Sequence, residues 1–230
     1  MKLQIQQLNK NFPGKKVLNN INLDIKKGRI YGLLGPNDSG KTTLLRIISG
    51  LIKPSQGLLT IDSFEPSKVT KEFVSYMPTE NFFPSWMKVK DSINFYEDFY
   101  PDFDLEKCSY LLKEESINSD EKINILSTGM KEKLKVILTL SREASLFLLD
   151  EPFNGIDTMS KDSIKKIIKR ISNKENTIII TSHLIDELET LLDDVIILNH
   201  GKIVLDSSVE SLKKEGNISI KEIYQEVLNV

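Results

Sequence analysis

Cysteine, tryptophan and histidine are scarce in this 230-residue chain, and neither sign of charge dominates it. The one cysteine, Cys108, excludes an internal disulfide and suits a reducing compartment. Basic side chains number 31 against 33 acidic ones, a formal net charge of -2, so the basic excess of a nucleic-acid-binding chain is missing and no nucleic acid is expected as a partner. No apolar run approaches the roughly 20 residues of a membrane-spanning helix. The longest runs, such as Val195 to Leu198 and Ile178 to Ile180, are strand-sized. The first ten residues alternate apolar and polar positions and lack the apolar stretch of a signal peptide, from which a cytosolic location is expected. Repeats and low-complexity tracts are absent as well. The length suits one sizeable core, or a core with a lobe inserted into it.

What is present is an alternation of strand and helix patterns. Leu3, Ile5 and Leu8, then Val17, Leu18, Ile21, Leu23 and Ile25 up to the turn at Lys27-Gly28, predict a small antiparallel region. Ile30 to Leu34 predicts a buried strand, and Thr43 to Leu51 a helix that stops at Gly50 and Pro54. From Asn81 to Met130 the chain turns aromatic and helical, with Val89, Ile93, Tyr96 and Tyr100 on one face, and reads as an inserted helical lobe. Strands are predicted at Leu146 to Leu149 and Thr177 to Thr181, flanking a helix over Ser160 to Ile171 that carries Ile164, Ile167, Ile168 and Ile171 on one face. Strand, helix, strand argues for a parallel sheet. Asn199-His200-Gly201 between two short apolar runs predicts a hairpin with His200 as a surface turn residue, and Ile220 to Val227 a last helix.

The strongest chemical signal is Gly35-Pro36-Asn37-Asp38-Ser39-Gly40-Lys41-Thr42, followed by Thr43, between a predicted strand and a predicted helix. The glycines let backbone N–H groups turn in on phosphates, Lys41 neutralises the terminal ones, and the Thr42 hydroxyl is placed for Mg²⁺. The helix that follows aims its positive end at the same anions. A second signal is the apolar run 146–149 ending in Asp150 and Glu151. Because side chains alternate along a strand, the two carboxylates point differently, one toward Mg²⁺ and one toward an attacking water. Alone, such a pair is a solvated turn; joined to the phosphate loop it suits hydrolysis of a terminal phosphate. A third is Leu126-Ser127-Thr128-Gly129-Met130 before a helix carrying Leu134, Ile137 and Leu138, where Ser127 and the Gly129 backbone form either an ordinary cap or an anion site.

In this order, and with Ser182-His183 after the next strand, the chain resembles the ATP-binding subunits of ABC transporters along essentially its whole length. The matching motifs are the Walker A loop Gly35 to Thr42, the signature Leu126 to Met130, the Walker B strand ending at Asp150, the adjacent Glu151, the D-loop Asn154 to Asp157 and the switch histidine His183. The resemblance implies an α/β fold: a P-loop NTPase (RecA-like) parallel-sheet core with an N-terminal antiparallel β-subdomain and an inserted α-helical subdomain. It implies a single ABC ATPase domain over 1–230, with 1–78 and 137–230 as core and 79–136 as the helical subdomain. It further implies Mg²⁺-dependent ATP hydrolysis in a head-to-tail dimer, each ATP held by one Walker A loop and the other subunit's Ser127 and Gly129. In that scheme Glu151 polarises the water, His183 contacts the γ-phosphate, Asp157 links the two sites, and Phe12 stacks on adenine.

Three departures stand out. Asp38 occupies a position where the family usually has glycine, bringing charge near phosphates. The signature reads Leu-Ser-Thr-Gly-Met rather than Leu-Ser-Gly-Gly-Gln. Thr79 and Glu80 stand where the family places the Q-loop glutamine, and Glu80 is expected to substitute as an oxygen ligand for Mg²⁺. The resemblance implies a separate transmembrane permease as partner, a location on the cytoplasmic face of the cell membrane, and a homodimer or a heterodimer with a related ATPase. Phe82, Phe83 and Trp86 are candidates for the groove that receives the permease. Details such as the Leu-Ser-x-Gly-Met form look like Gram-positive exporter ATPases for peptides, antibiotics or lipids. The alternative is a soluble ABC-type ATPase acting in assembly, repair or translation; the chain has neither a sustained heptad run nor a second motif set. Lys165-Lys166 and Lys169-Arg170 read as a solvated helix face.

Overall fold

The computed structural model describes residues 1–216 and 219–228. Its centre is a six-stranded sheet in the order β5 (Val74–Met77), β6 (Leu146–Asp150), β7 (Thr177–Ser182), β3 (Ile30–Leu34), β8 (Asp194–Asn199) and β9 (Lys202–Ser208). The strands pair in parallel except for the β8–β9 hairpin, which turns at His200 with φ of 44° and Gly201 with φ of 72°. Burial on both faces explains the unbroken apolar runs of the inner strands. In β6 the even positions Leu146 and Leu148 enter one core and the odd positions Phe147 and Leu149 the other. That parity puts Asp150 on the face of Leu148.

A three-stranded antiparallel sheet, β2 (Lys15–Ile25), β1 (Leu3–Phe12) and β4 (Gln56–Ile61), closes the even-side core together with α1 (Lys41–Ile48). The sequence pattern anticipated its first two strands; β4 and β5 are additions, too short and too interrupted by glycine or serine to stand out by periodicity. Helix α1 starts two residues before the predicted Thr43, because Gly40 at φ of 110° ends the loop there. The odd-side core packs α2 (Val89–Phe99), α3 (Leu105–Glu114), α4 (Thr128–Leu140) and α5 (Thr158–Ile171). Val89, Ile93 and Tyr96 are buried as expected, while Tyr100 falls just past the end of α2 and lies under the Arg142 guanidinium. The chain ends in α6 (Val209–Gly216) and α7 (Ile220–Leu228).

Lys165 departs from the solvated face expected of it, for it bonds Glu187, whose carboxyl is held below its usual range by the Lys165 and Lys161 ammonium groups. Arg170 likewise pairs with Glu114 of α3. Among the described residues no helix is long and apolar enough to cross a membrane.

Candidate functional site

The sheet's parallel strands β3, β6 and β7 end side by side, so their following loops converge on one edge. There the chain forms a cleft of about 460 Å³ lined by Asn37, Asp38, Ser39, Gly40, Lys41, Thr42 and Thr43, with Lys15, Val17, Thr79, Glu151, Asn154 and His183. Its size falls within the range of small-molecule sites. Gly40 cannot be replaced without strain: besides its φ, a Cβ there would lie 2.7 Å from Leu18 Cδ2. Asp38 is the unusual member, an exposed carboxylate at φ of 61°, a conformation that aspartate tolerates better than most residues. Ser39 Oγ is buried and has no hydrogen-bond partner among the described residues, and the first N–H groups of α1 face the cleft. These are the donors that an anion of phosphate shape would satisfy. Lys41, only 6% exposed, donates to the carbonyls of Gly35 at 2.9 Å and Pro36 at 3.1 Å and stands 3.5 Å from Glu151 Oε1.

The two acids at the end of β6 diverge. Asp150, fully buried, turns to α1: its Oδ1 accepts from Thr42 Oγ1 at 3.1 Å and Thr181 Oγ1 at 2.7 Å, and its Oδ2 from the Tyr76 hydroxyl at 3.3 Å. Burial and the adjacent Asp150 charge push the Tyr76 hydroxyl far above its ordinary range, so it stays protonated and can donate to Asp150. Glu151 leaves the strand at φ of 52°, and its N–H donates to Thr181 Oγ1 at 2.8 Å. That turn carries its carboxylate into the cleft, where Oε2 meets His183 Nδ1 at 2.9 Å. Tyr76 and Thr181 went unnoticed in the sequence; Thr181, two residues before His183 at the end of a predicted strand, was the more legible of the two.

Thr42 and Asp150 offer a hydroxyl and a carboxylate side by side, and no cluster of three or more His, Cys, Asp or Glu side chains exists among the described residues. That donor set fits Mg²⁺, which takes one or two protein oxygens and completes its shell with phosphates and water. Glu80 does not join it. Its side chain turns outward to the Arg46 guanidinium, and a bond from its own backbone N–H, with this one, holds its carboxyl below the usual range. Thr79 takes the place facing the cleft, with Oγ1 donating to the Asp150 carbonyl at 3.2 Å. Glu80, expected as an Mg²⁺ ligand, is thus held by an arginine in this structure and does not line the cleft.

The remaining predicted residues lie outside the cleft. Phe12 sits half exposed at the tip of the β1–β2 hairpin, beneath the Lys10 ammonium and paired in register with the cleft residue Lys15. Ser127 caps α4 by accepting from the Met130 N–H at 3.2 Å. Asp157 caps α5, accepting from the N–H of Ser160 at 2.9 Å and its hydroxyl at 2.7 Å, bonds that hold its carboxyl below its ordinary range. The two caps touch at Gly129, where a Cβ would come within 2.2 Å of Ser160 Oγ. Neither cap lines the cleft.

This constellation agrees with comparison to known proteins. The profile of the family described as "ABC transporter" matches residues 18–154. This chain belongs to the ABC transporter family. It is 32% identical over 216 residues to the ABC transporter ATP-binding protein YtrB of Bacillus subtilis (strain 168), covering 93% of this chain and 74% of that one. It is 28% identical to the lantibiotic transport ATP-binding protein SrtF of Streptococcus pyogenes, covering 96% and 95%. A solved structure of an ATP-binding subunit of an ABC transporter superposes with a TM-score of 0.88 at 20% identity, covering 99% of this chain and 100% of the other; it shares the fold. As an ABC transporter ATP-binding subunit, the chain is an ATPase of this α/β fold with an N-terminal antiparallel β-subdomain.

Proposed function

We propose that the chain is the Mg²⁺-ATP-hydrolysing motor subunit of an exporter for peptides, antibiotics or lipids, working on the cytoplasmic face of the membrane against a separate transmembrane permease. The observation that carries the catalytic part is the convergence of Lys41, Glu151 and His183 on one cleft, with Asp150 held apart at its floor. In this reading the loop 35–43 wraps the phosphates, and Lys41 exchanges its carbonyl acceptors for phosphate oxygens. Thr42 and Asp150 would hold Mg²⁺, which when bound screens the phosphate charge. Glu151 takes a proton from water as the water oxygen attacks the γ-phosphorus and the bond to the leaving ADP oxygen breaks. His183 orients Glu151 and contacts the γ-phosphate, and Phe12 stacks on the adenine.

Ser127 and Thr128 are exposed and do not line their own chain's cleft, while Gly129 behind them is buried against Ser160, which supports a head-to-tail dimer of two identical or related chains, with Asp157 beside the crossing. The division we propose is a core of 1–78 and 137–230 and a helical lobe of 79–136. Exposed Phe82 and Trp86, with Phe83 beside them, form the lobe's permease-facing surface. The test is affinity purification of tagged Glu151→Gln from its native host with ATP and crosslinker. Recovery of a multi-span membrane protein is expected, and recovery of soluble partners alone overturns the transporter reading in favour of an assembly, repair or translation role.

A further inference from the structure

Lys135 is the most deeply buried charged side chain of the lobe, at 1% exposure on a helix whose neighbours Leu134, Val136 and Ile137 are core residues. Burying an ammonium is costly unless its protons find acceptors. Here each one does: Nζ donates to the carbonyls of Thr79 at 2.9 Å and Pro78 at 3.2 Å, and it pairs with Glu132 Oε1 at 2.9 Å. The two carbonyls belong to the segment that leaves β5 for the lobe, and the same Thr79 sends its hydroxyl to the Asp150 carbonyl at 3.2 Å. A continuous path thus runs from the helix that Ser127 caps, through one lysine and one threonine, to the acid beside Thr42.

We propose that Lys135 is a positioning residue for ATP hydrolysis: it fixes the Thr79 backbone so that the Thr79 hydroxyl holds Asp150, tying the placement of α4 to the geometry of the cleft. The inference rests on the site reading above. Its physical logic is that a threonine cannot span the distance a glutamine would. A short side chain keeps contact with β6 only if its backbone is pinned close, and the charge-assisted bonds of a desolvated ammonium do the pinning. A displacement of α4 would draw the Thr79 carbonyl with it and loosen Asp150.

The experiment compares Lys135→Met, Thr79→Val, the double variant and Thr79→Ser for steady-state ATPase, for binding of ATP without divalent metal, for thermal unfolding and for amide exchange across 78–88. Each single variant is expected to lower kcat about tenfold while leaving metal-free ATP affinity within about twofold. The double variant should be no slower than the slower single, because both act along one path. Thr79→Ser should recover most of the rate, and Lys135→Met should speed exchange at residues 79–81. A wild-type kcat in Lys135→Met or Thr79→Val, or multiplicative losses in the double variant, overturns the proposal. If Lys135→Met does not fold, Lys135→Gln takes its place in the same comparisons. Asp150→Asn is measured alongside: full activity there refutes the site reading itself, whereas an inactive Asp150→Asn beside a fully active Lys135→Met refutes only the role of the lysine.

Discussion

At the scale of single residues, the cleft concentrates conformations that side chains ordinarily avoid. Glu151 at φ of 52° and Asp38 at φ of 61° each hold a costly backbone, and only the first has an evident return: the turn swings the carboxylate from the strand axis onto His183. Glu151→Gln keeps the size and the turn but cannot accept a proton. It is expected to bind ATP as the wild type does and to lose turnover by at least about a hundredfold in a phosphate-release assay. Asp38 has the opposite balance. It lines the cleft in which the proposed function places the phosphates, and about 1 kcal/mol of repulsion at a partly solvated separation corresponds to roughly fivefold in affinity. Asp38→Gly should therefore bind ATP several-fold more tightly, with the gap narrowing at high salt. Equal affinities at low salt would show that the carboxylate turns away from the nucleotide. Phe12→Ala should weaken ATP and leave pyrophosphate binding unchanged, a difference that titration calorimetry resolves.

At the scale of elements, two contacts decide how the helices sit on the sheet. Arg142, just after α4, is 3% exposed and serves five neighbours: both oxygens of Asp102, the carbonyls of Lys71, Glu72 and Val74, and the Tyr100 ring 4.1 Å away. Removing one partner of such a buried pair leaves the other uncompensated, so Arg142→Met is expected to cost about 3 kcal/mol in denaturant unfolding. A cost below about 1 kcal/mol would mean that water replaces the guanidinium. At the other end of α4, Gly129 lets that helix abut α5. Gly129→Ala should cost about 1–3 kcal/mol through overpacking against Ser160, and Ser160→Gly in the same chain should return part of it. The sequence carried the phosphate loop, the acid pair and the cap as contiguous motifs, so these elements were legible. Tyr76, Thr181, Lys135 and Arg142 were not, because each matters through a partner some 30 to 75 positions away. The Arg46 partner of Glu80 is hidden for the same reason, since Arg46 lies on another element. Strands β4 and β5 escaped because pairing, not periodicity, makes them strands.

At the scale of the whole molecule, the sheet serves two cores, one under α1 and the small antiparallel sheet and one under the helices α2 to α5, and only the first touches the Walker A helix directly. Whether the second opens independently of the phosphate loop is measurable, because the lone thiol lies in it. Cys108 of α3 is fully buried in that core, and burial pushes its thiol from an ordinary 9.0 up to about 12. Because the thiolate is the reactive form, the folded chain at pH 8 should react with a disulfide reagent at least about a thousandfold more slowly than the chain in denaturant. The folded state also retains this proton better than the unfolded one. The associated stability is thus complete below pH 9 and declines as pH rises toward 12. Reaction in native buffer then measures the opening of the helical core. If α2 to α5 open as a unit, the labelling rate should rise with low denaturant while ATP affinity holds. Strict proportionality of labelling to global unfolding, at every denaturant concentration, would instead show that the two cores melt together and that α2 to α5 have no opening of their own.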